Sequence, residues 1–259
     1  MTHQWTLTPI TGTFGAELIG GRIGAPGFEA ASLLSLVEEH LLLVLRDQHL
    51  THAEQVEVAR ALGEPTPAHP VVPGHPDHPE ILVLDGAAGG RNARWHTDVT
   101  FIPAPPAASV LVGDSFPVAG GDTMWASQYA AYDWLSDPMK QFLEPLTVRH
   151  ELPGFPDRGT VHPVVIRNPI SGRKALFVNK VFSTRILELS KEESDALLAF
   201  LAVHTVRPEF ICRVRWTPGD VGIWDNHYVQ HYAVADYRPH ARRIHRIEIV
   251  GEPTISAGA

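Results

Sequence analysis

The scarcity of cysteine is the first constraint on this sequence. Its one cysteine, Cys212, cannot form a disulfide within the chain, and a cysteine-rich structural zinc site is excluded with it. In the run Phe210-Ile211-Cys212-Arg213-Val214-Arg215-Trp216 the apolar residues alternate, so Cys212 reads as a buried structural thiol on one face of a strand rather than a nucleophile. Long apolar runs are missing too. Leu41 to Leu45 is too short to span a bilayer, and the start Met-Thr-His-Gln-Trp-Thr-Leu-Thr has no basic leader, so neither a signal peptide nor a membrane anchor is expected and a cytoplasmic protein is. Basic charge is in deficit: 21 Lys and Arg stand against 29 Asp and Glu, a net charge of −8. Nucleic acid is therefore not the expected partner, and a small anionic ligand must be met by a few locally placed cations.

What is present is a chain of 259 residues with 44% hydrophobic content, enough for a substantial core, and we expect one domain over residues 1–259. The 21 Gly and 22 Pro divide it into short runs rich in β-formers: Ile81 to Leu84, Ser109 to Val112, Val164 to Arg167, Ala175 to Val178 and Ile244 to Val250. Many short strands joined by many turns favour a sandwich or jelly roll over a doubly wound parallel sheet. Helices are expected early and late. Ala30, Leu33, Leu34, Val37 and Leu41 recur at helical spacing before a buried strand at Leu42 to Leu45, while Thr51 with Glu54 and Ser190 with Glu193 form capping boxes. Residues 65–79 hold six prolines together with His69, His75 and His78, and read as a long loop beside the active site. Residues 152–160, with Pro153, Gly154, Pro156 and Gly159, read as irregular and as a lid.

The chemistry centres on His96-Thr97-Asp98. In an extended chain residues i and i+2 share a face, so an imidazole and a carboxylate can bind one ion. His231, in Trp224-Asp225-Asn226-His227-Tyr228-Val229-Gln230-His231-Tyr232, is the best third donor. Two His and one carboxylate leave about three positions open on an octahedral Fe(II), room for a bidentate oxoacid and O₂. A zinc hydrolase or a non-catalytic metal-binding jelly roll could use the same three residues.

Trp95 to Phe101, Gly120-Gly121-Asp122-Thr123, Trp224-Asp225-Asn226, Gln230 to Ala233 and the arginines Arg242 to Arg246 together resemble the taurine dioxygenase (TauD/TfdA) family of Fe(II)- and 2-oxoglutarate-dependent oxygenases. The resemblance runs from Leu7 to the end of the chain and is contracted around Leu152 to Thr160. It implies a mainly β fold with flanking helices and a double-stranded β-helix (jelly-roll, cupin-like) core. It also implies Fe(II), 2-oxoglutarate and O₂ as cofactor and cosubstrates, and a dimer or tetramer. His96, Asp98 and His231 take the role of catalytic iron ligands, and Thr123 and Arg242 meet the distal carboxylate of 2-oxoglutarate. Arg246 lies near the cosubstrate's inner carboxylate and meets the substrate's anionic head.

The implied substrate contacts are His69, Asn92, Val99, Phe182 and Arg246, and the implied reaction hydroxylates the carbon next to a sulfonate, in taurine first. Val72 stands where taurine enzymes carry tyrosine, and His227 where close relatives carry arginine. Alkyl sulfates and aryloxyalkanoates are the alternative substrates. His227 and His245 read as neighbours satisfied by local hydrogen bonds, and Trp95 and Trp224 as packing walls.

Overall fold

A computed structural model of the chain describes residues 5–25, 30–67, 74–86 and 93–258. The strands are β1 (Thr6–Pro9), β2 (Ala16–Ile19), β3 (Leu42–Leu45), β4 (Leu82–Asp85), β5 (Ala108–Ser115), β6 (Thr123–Ser127), β7 (Thr147–Leu152), β8 (Phe155–Pro163), β9 (Val165–Arg167), β10 (Lys174–Leu176), β11 (Ser183–Ile186), β12 (Ile211–Val214), β13 (Val221–Asp225), β14 (Val229–Ala233) and β15 (Arg243–Ile249). The helices are α1 (Ala30–His40), α2 (His52–Leu62), α3 (Gln128–Asp133), α4 (Asp137–Leu143) and α5 (Lys191–His204).

A seven-stranded sheet in the order β1-β2-β3-β13-β5-β15-β4 faces a three-stranded sheet, β12-β6-β14. Their shared interior joins Leu42, Val44, Leu111 and Trp224 of the larger sheet to Trp125, Cys212, Val214 and Val229 of the smaller. This is the jelly-roll core, and Cys212 is fully buried in it. On the outer face of the larger sheet, Leu33 and Val37 of α1 and Val56, Ala59 and Leu62 of α2 cover Val110, Val112, Ile223, Ile247 and Ile249. Strand β3 is buried on both faces, which explains why Leu42-Leu43-Val44-Leu45 shows no alternation.

Both capping boxes form. Thr51 and Ser190 accept from the backbones of Glu54 and Glu193, and each glutamate returns a bond to the cap's own N–H. The helical run ends at His40; Leu41 leaves it with φ 61°, and Leu34 is exposed. Two short helices in the middle of the chain, α3 and α4, were not anticipated. They start at Ser127, whose hydroxyl accepts from Ala130 N–H, and at Ser136 followed by Pro138 in the first turn. Each is too short to reveal a period.

The stretch 152–160 is not irregular. Strands β7 and β8 pair from Thr147↔Pro163 to His150↔Thr160, and the chain reverses at Pro153-Gly154 with Gly154 at φ 84°. The outer part of β8 is exposed on both faces, so it lacks the alternation that would mark a strand. Of the loop expected over 65–79, the described ends carry no strand or helix, only single bridges from Pro65 to Ile249 and from Gly74 to Leu82.

Candidate active site

His96 and His231 come together through the backbone. They exchange both main-chain hydrogen bonds, His96 N–H to His231 O at 3.1 Å and His231 N–H to His96 O at 2.7 Å, so their side chains stand side by side with ring centroids 4.2 Å apart. Asp98 completes the group, with Oδ1 3.5 Å from His96 Nε2 and Oδ2 3.6 Å from His231 Nε2. The extended-chain reading of His96-Thr97-Asp98 needs correction here. Only His96 sits in the bridge, and the chain turns at residues 98–101, with Val99 at φ 55°. A β-branched residue in the left-handed region is strained, on the order of 1–3 kcal/mol, so the surroundings must hold the turn that aims Asp98.

Asn226 does much of that holding. Its Oδ1 accepts from Asp98 N–H at 3.0 Å, and its Nδ2 donates to the carbonyls of Asp98 at 3.1 Å and Pro106 at 2.9 Å. Behind the turn, the hydroxyl of Thr100 lies 2.7 Å from His150 Nδ1, and Thr100 O lies 2.8 Å from His162 Nε2. Burial pushes the His150 imidazolium down to about 3, so this histidine is neutral. Sequence reasoning missed these supports. Asn226 was visible inside the Trp-Asp-Asn motif, but His150 and His162 carry no local signal, because strand pairing alone brings them to Thr100.

The protonation states suit a metal. His96 Nδ1 lies 2.7 Å from Arg94 O, which orients the ring so that Nε2 faces Asp98 and His231. Burial drives His231 down to about 3, hence neutral. For Asp98 burial opposes ionisation, but the charge of Arg246, assisted by the neighbouring His231 and His96, holds the carboxyl well below its ordinary range. The donor atoms of the three buried residues all lie within 4.8 Å of one another. Two imidazoles and a carboxylate on one side of an ion form a facial set for a divalent metal.

Two buried arginines flank the triad on one face of β15 and its approach. Arg242 donates from Nε to Gly121 O at 2.8 Å and from Nη2 to Thr123 Oγ1 at 3.1 Å, and Thr123 Oγ1 also accepts from Trp216 Nε1 at 2.8 Å. Arg246 donates from Nη1 to Asp98 Oδ2 at 2.6 Å, and its Nη2 lies 2.8 Å from Glu248 Oε1 in a charge contact without hydrogen-bond alignment. Burial raises the Glu248 carboxyl to about 7 although Arg246 opposes this. Glu248 had no place in the sequence reading. Ser109 Oγ, Trp125 Nε1, Trp224 Nε1, His231 Nδ1 and Arg246 Nε are buried without a hydrogen-bond partner among the described residues.

Of the expected substrate contacts, Val99 and Phe182 join Phe101 in a buried apolar wall, against which Ile102, Leu152 and Val181 pack. His69 and Asn92, like Val72, lie outside the described residues. His227 is a neighbour only, its Nε2 3.2 Å from Pro105 O, with burial lowering it to about 4.

Residues 6–247 match the family described as taurine catabolism dioxygenase TauD, TfdA family. A sulfate ester dioxygenase of Pseudomonas putida, dependent on alpha-ketoglutarate, is 38% identical over 94% of this chain and 89% of its own length. An alkylsulfatase of Acinetobacter baylyi is 36% identical over 99% and 88%. The crystal structure of a taurine dioxygenase from Burkholderia xenovorans superimposes with a TM-score of 0.90 at 34% identity, covering 98% of this chain and 92% of the other. The jelly roll, the facial donor set and these relatives agree: the chain belongs to the TauD/TfdA family and is a 2-oxoglutarate-dependent dioxygenase.

Proposed function

We propose that His96, Asp98 and His231 hold Fe(II), that Arg242 and Thr123 bind the distal carboxylate of 2-oxoglutarate, and that the enzyme hydroxylates the carbon bearing a sulfonate, in taurine or a related alkylsulfonate. The observation that carries this reading is the facial set of one ionised carboxylate and two imidazoles beside two buried guanidinium groups. Iron with 2-oxoglutarate and O₂ supplies insertion of one oxygen atom into a C–H bond, the other leaving in succinate as CO₂ is released.

The chain's own residues position and exclude. Arg242 is suited to a carboxylate because its planar fork matches two oxygens, and Thr123 fixes that fork from one side. Arg246 is shared between Asp98 and Glu248; once a metal takes up the charge of Asp98, its guanidinium can turn to an anionic head or to the inner carboxylate of the cosubstrate. Val99, Phe101 and Phe182 keep water from the reacting carbon. His69 and Asn92 complete the substrate contacts in this reading. After hydroxylation, the carbon–sulfur bond breaks, the hydroxyl proton is lost, and an aldehyde and sulfite leave.

A second reading is favoured by two observations: the same hydroxylation on an alkyl sulfate, releasing sulfate and an aldehyde. The relatives at 38% and 36% identity are named for sulfate esters and alkyl sulfates, and the wall of Val99, Phe101 and Phe182 suits an alkyl chain better than an ammonium group. One panel separates the readings. Succinate formation is followed with taurine, a linear alkyl sulfate and phenoxyacetate, while sulfite and sulfate release are assayed in parallel. We expect Fe(II)-dependent succinate coupled to release of one sulfur oxyanion, abolished in Asp98→Ala. Turnover with Zn(II) in the absence of O₂, or none under any condition, would overturn the oxygenase chemistry.

A further inference from the structure

Four imidazoles meet on the face of the large sheet opposite the triad. Strand alternation turns His245 away from the side occupied by Arg246, toward His52, the first residue of α2. His75 and His78 approach from the neighbouring loop. The His52 ring centroid lies 4.6 Å from that of His245, 4.4 Å from that of His75 and 5.9 Å from that of His78. Main-chain bonds close the loop on itself, with His78 N–H donating to His75 O at 3.2 Å, Ile81 N–H to His78 O at 2.9 Å and His75 N–H to Ile81 O at 2.8 Å. The two loop histidines are thus presented together.

We propose that His52, His245 and the His75-Pro76-Asp77-His78 loop form a second metal site, for a divalent ion that favours imidazole, such as Zn(II), Ni(II) or Cu(II). His52 Nε2 and His245 Nδ1 stand 3.3 Å apart. At metal–nitrogen bonds of about 2.0–2.1 Å, a tetrahedral ion separates two donors by about 3.3–3.4 Å, so this pair already has the bite of a bis-imidazole site. Burial and the neighbouring imidazoles lower His52 and His245, which keeps both in the neutral form that ligates. Asp77 and Asp114 act on His52 in the opposite sense and supply nearby negative charge for a cation. A groove of about 420 Å³, lined in part by His49, His52, Asp114 and His245, gives an ion access.

The set is not yet closed. Among the described residues, only the triad has three donors already within 4.8 Å of one another. Closure here requires His75 or His78 to move in, and ligation through His75 Nδ1 would release the N–H of Asp77, an exposed contact of 3.2 Å. A bound ion would tie α2 and β15 to the loop at residues 74–80, which leads back toward the expected substrate loop.

The test is a Zn(II) titration of untagged, metal-free protein by equilibrium dialysis, with bound metal counted. Wild type is expected to take up two equivalents, and His75→Ala/His78→Ala one, its affinity at the cluster falling at least tenfold. That variant should still form the coloured Fe(II)–2-oxoglutarate chelate, which shows that it is folded. Conversely, His96→Ala/Asp98→Ala should retain the cluster's equivalent, and Cu(II) added to it should show nitrogen hyperfine structure that His52→Ala removes. Saturation of wild type at one equivalent, or two equivalents in the loop variant, overturns the proposal.

Discussion

Strand β15 presents two opposite environments. Its outward residues Ile247 and Ile249 pack against α1 and α2 in an aliphatic layer, whereas inward Arg246 and Glu248, with Arg242 just before the strand, are charged groups at no more than 5% exposure. The outer layer gains stability from every methylene it buries. Charges on the inner layer lose hydration that their mutual attraction only roughly restores, so their presence there fits the proposed ligand binding better than a gain in stability. The two faces should therefore fail in different ways when altered.

The largest effect is expected on the inner face. Arg242→Gln should raise the KM for 2-oxoglutarate by about 10²–10³-fold, because truncating one partner of a buried charged contact costs about 3–4 kcal/mol. Its unfolding midpoint in urea should change little. On the outer face the pattern reverses: Ile247→Ala should lower stability by about 3 kcal/mol and leave kcat per folded molecule unchanged. Loss of turnover in folded Ile247→Ala, or unfolding of Arg242→Gln, would show that the faces are not separable. Asn226→Ala tests the join between them. Loss of its bonds to Asp98 and Pro106 should weaken Fe(II) binding by about 10–100-fold, read by metal competition, while 2-oxoglutarate affinity at saturating iron stays near wild type.

This contrast also sets how far the sequence could be read. The outer layer was legible in its periods: Leu33 and Val37, the Thr51 capping box, and Ile247 and Ile249 follow rules of spacing that need no partner. Within the site, His96, Asp98, His231, Thr123 and Arg242 were reachable as a pattern of types at long separations, and the fold brings the first three within reach of one ion. The turn at Val99, the support from Asn226 and the ties from His150 and His162 were not. Each depends on which strands become neighbours, and no local period records that. The exposed hairpin β7–β8 escaped for a related reason: backbone pairing, not an apolar face, holds its outer half.

The smallest effect concerns His150, which belongs to neither face and ties the Thr100 turn to β7. Above pH 6.5 this histidine is neutral both folded and unfolded, so it makes no pH-dependent contribution. Below 6.5 the unfolded chain takes up a proton that the folded chain refuses until about pH 3, so the stability His150 contributes is lost as pH falls, by about 1.4 kcal/mol per unit. His227, lowered to about 4, acts in the same sense, while Asp225, raised to about 7, acts in the opposite one. Total stability against pH therefore says little, and the comparison must be with a variant. In metal-free protein, His150→Asn forfeits the contact to Ser183 and should be less stable than wild type by about 1–2 kcal/mol at pH 7.5. That gap should close near pH 5, because wild type alone carries the proton penalty. Urea unfolding at both pH values reads the difference directly, and a gap unchanged between them would mean that the imidazole takes up its proton as readily in the folded protein as in the unfolded chain.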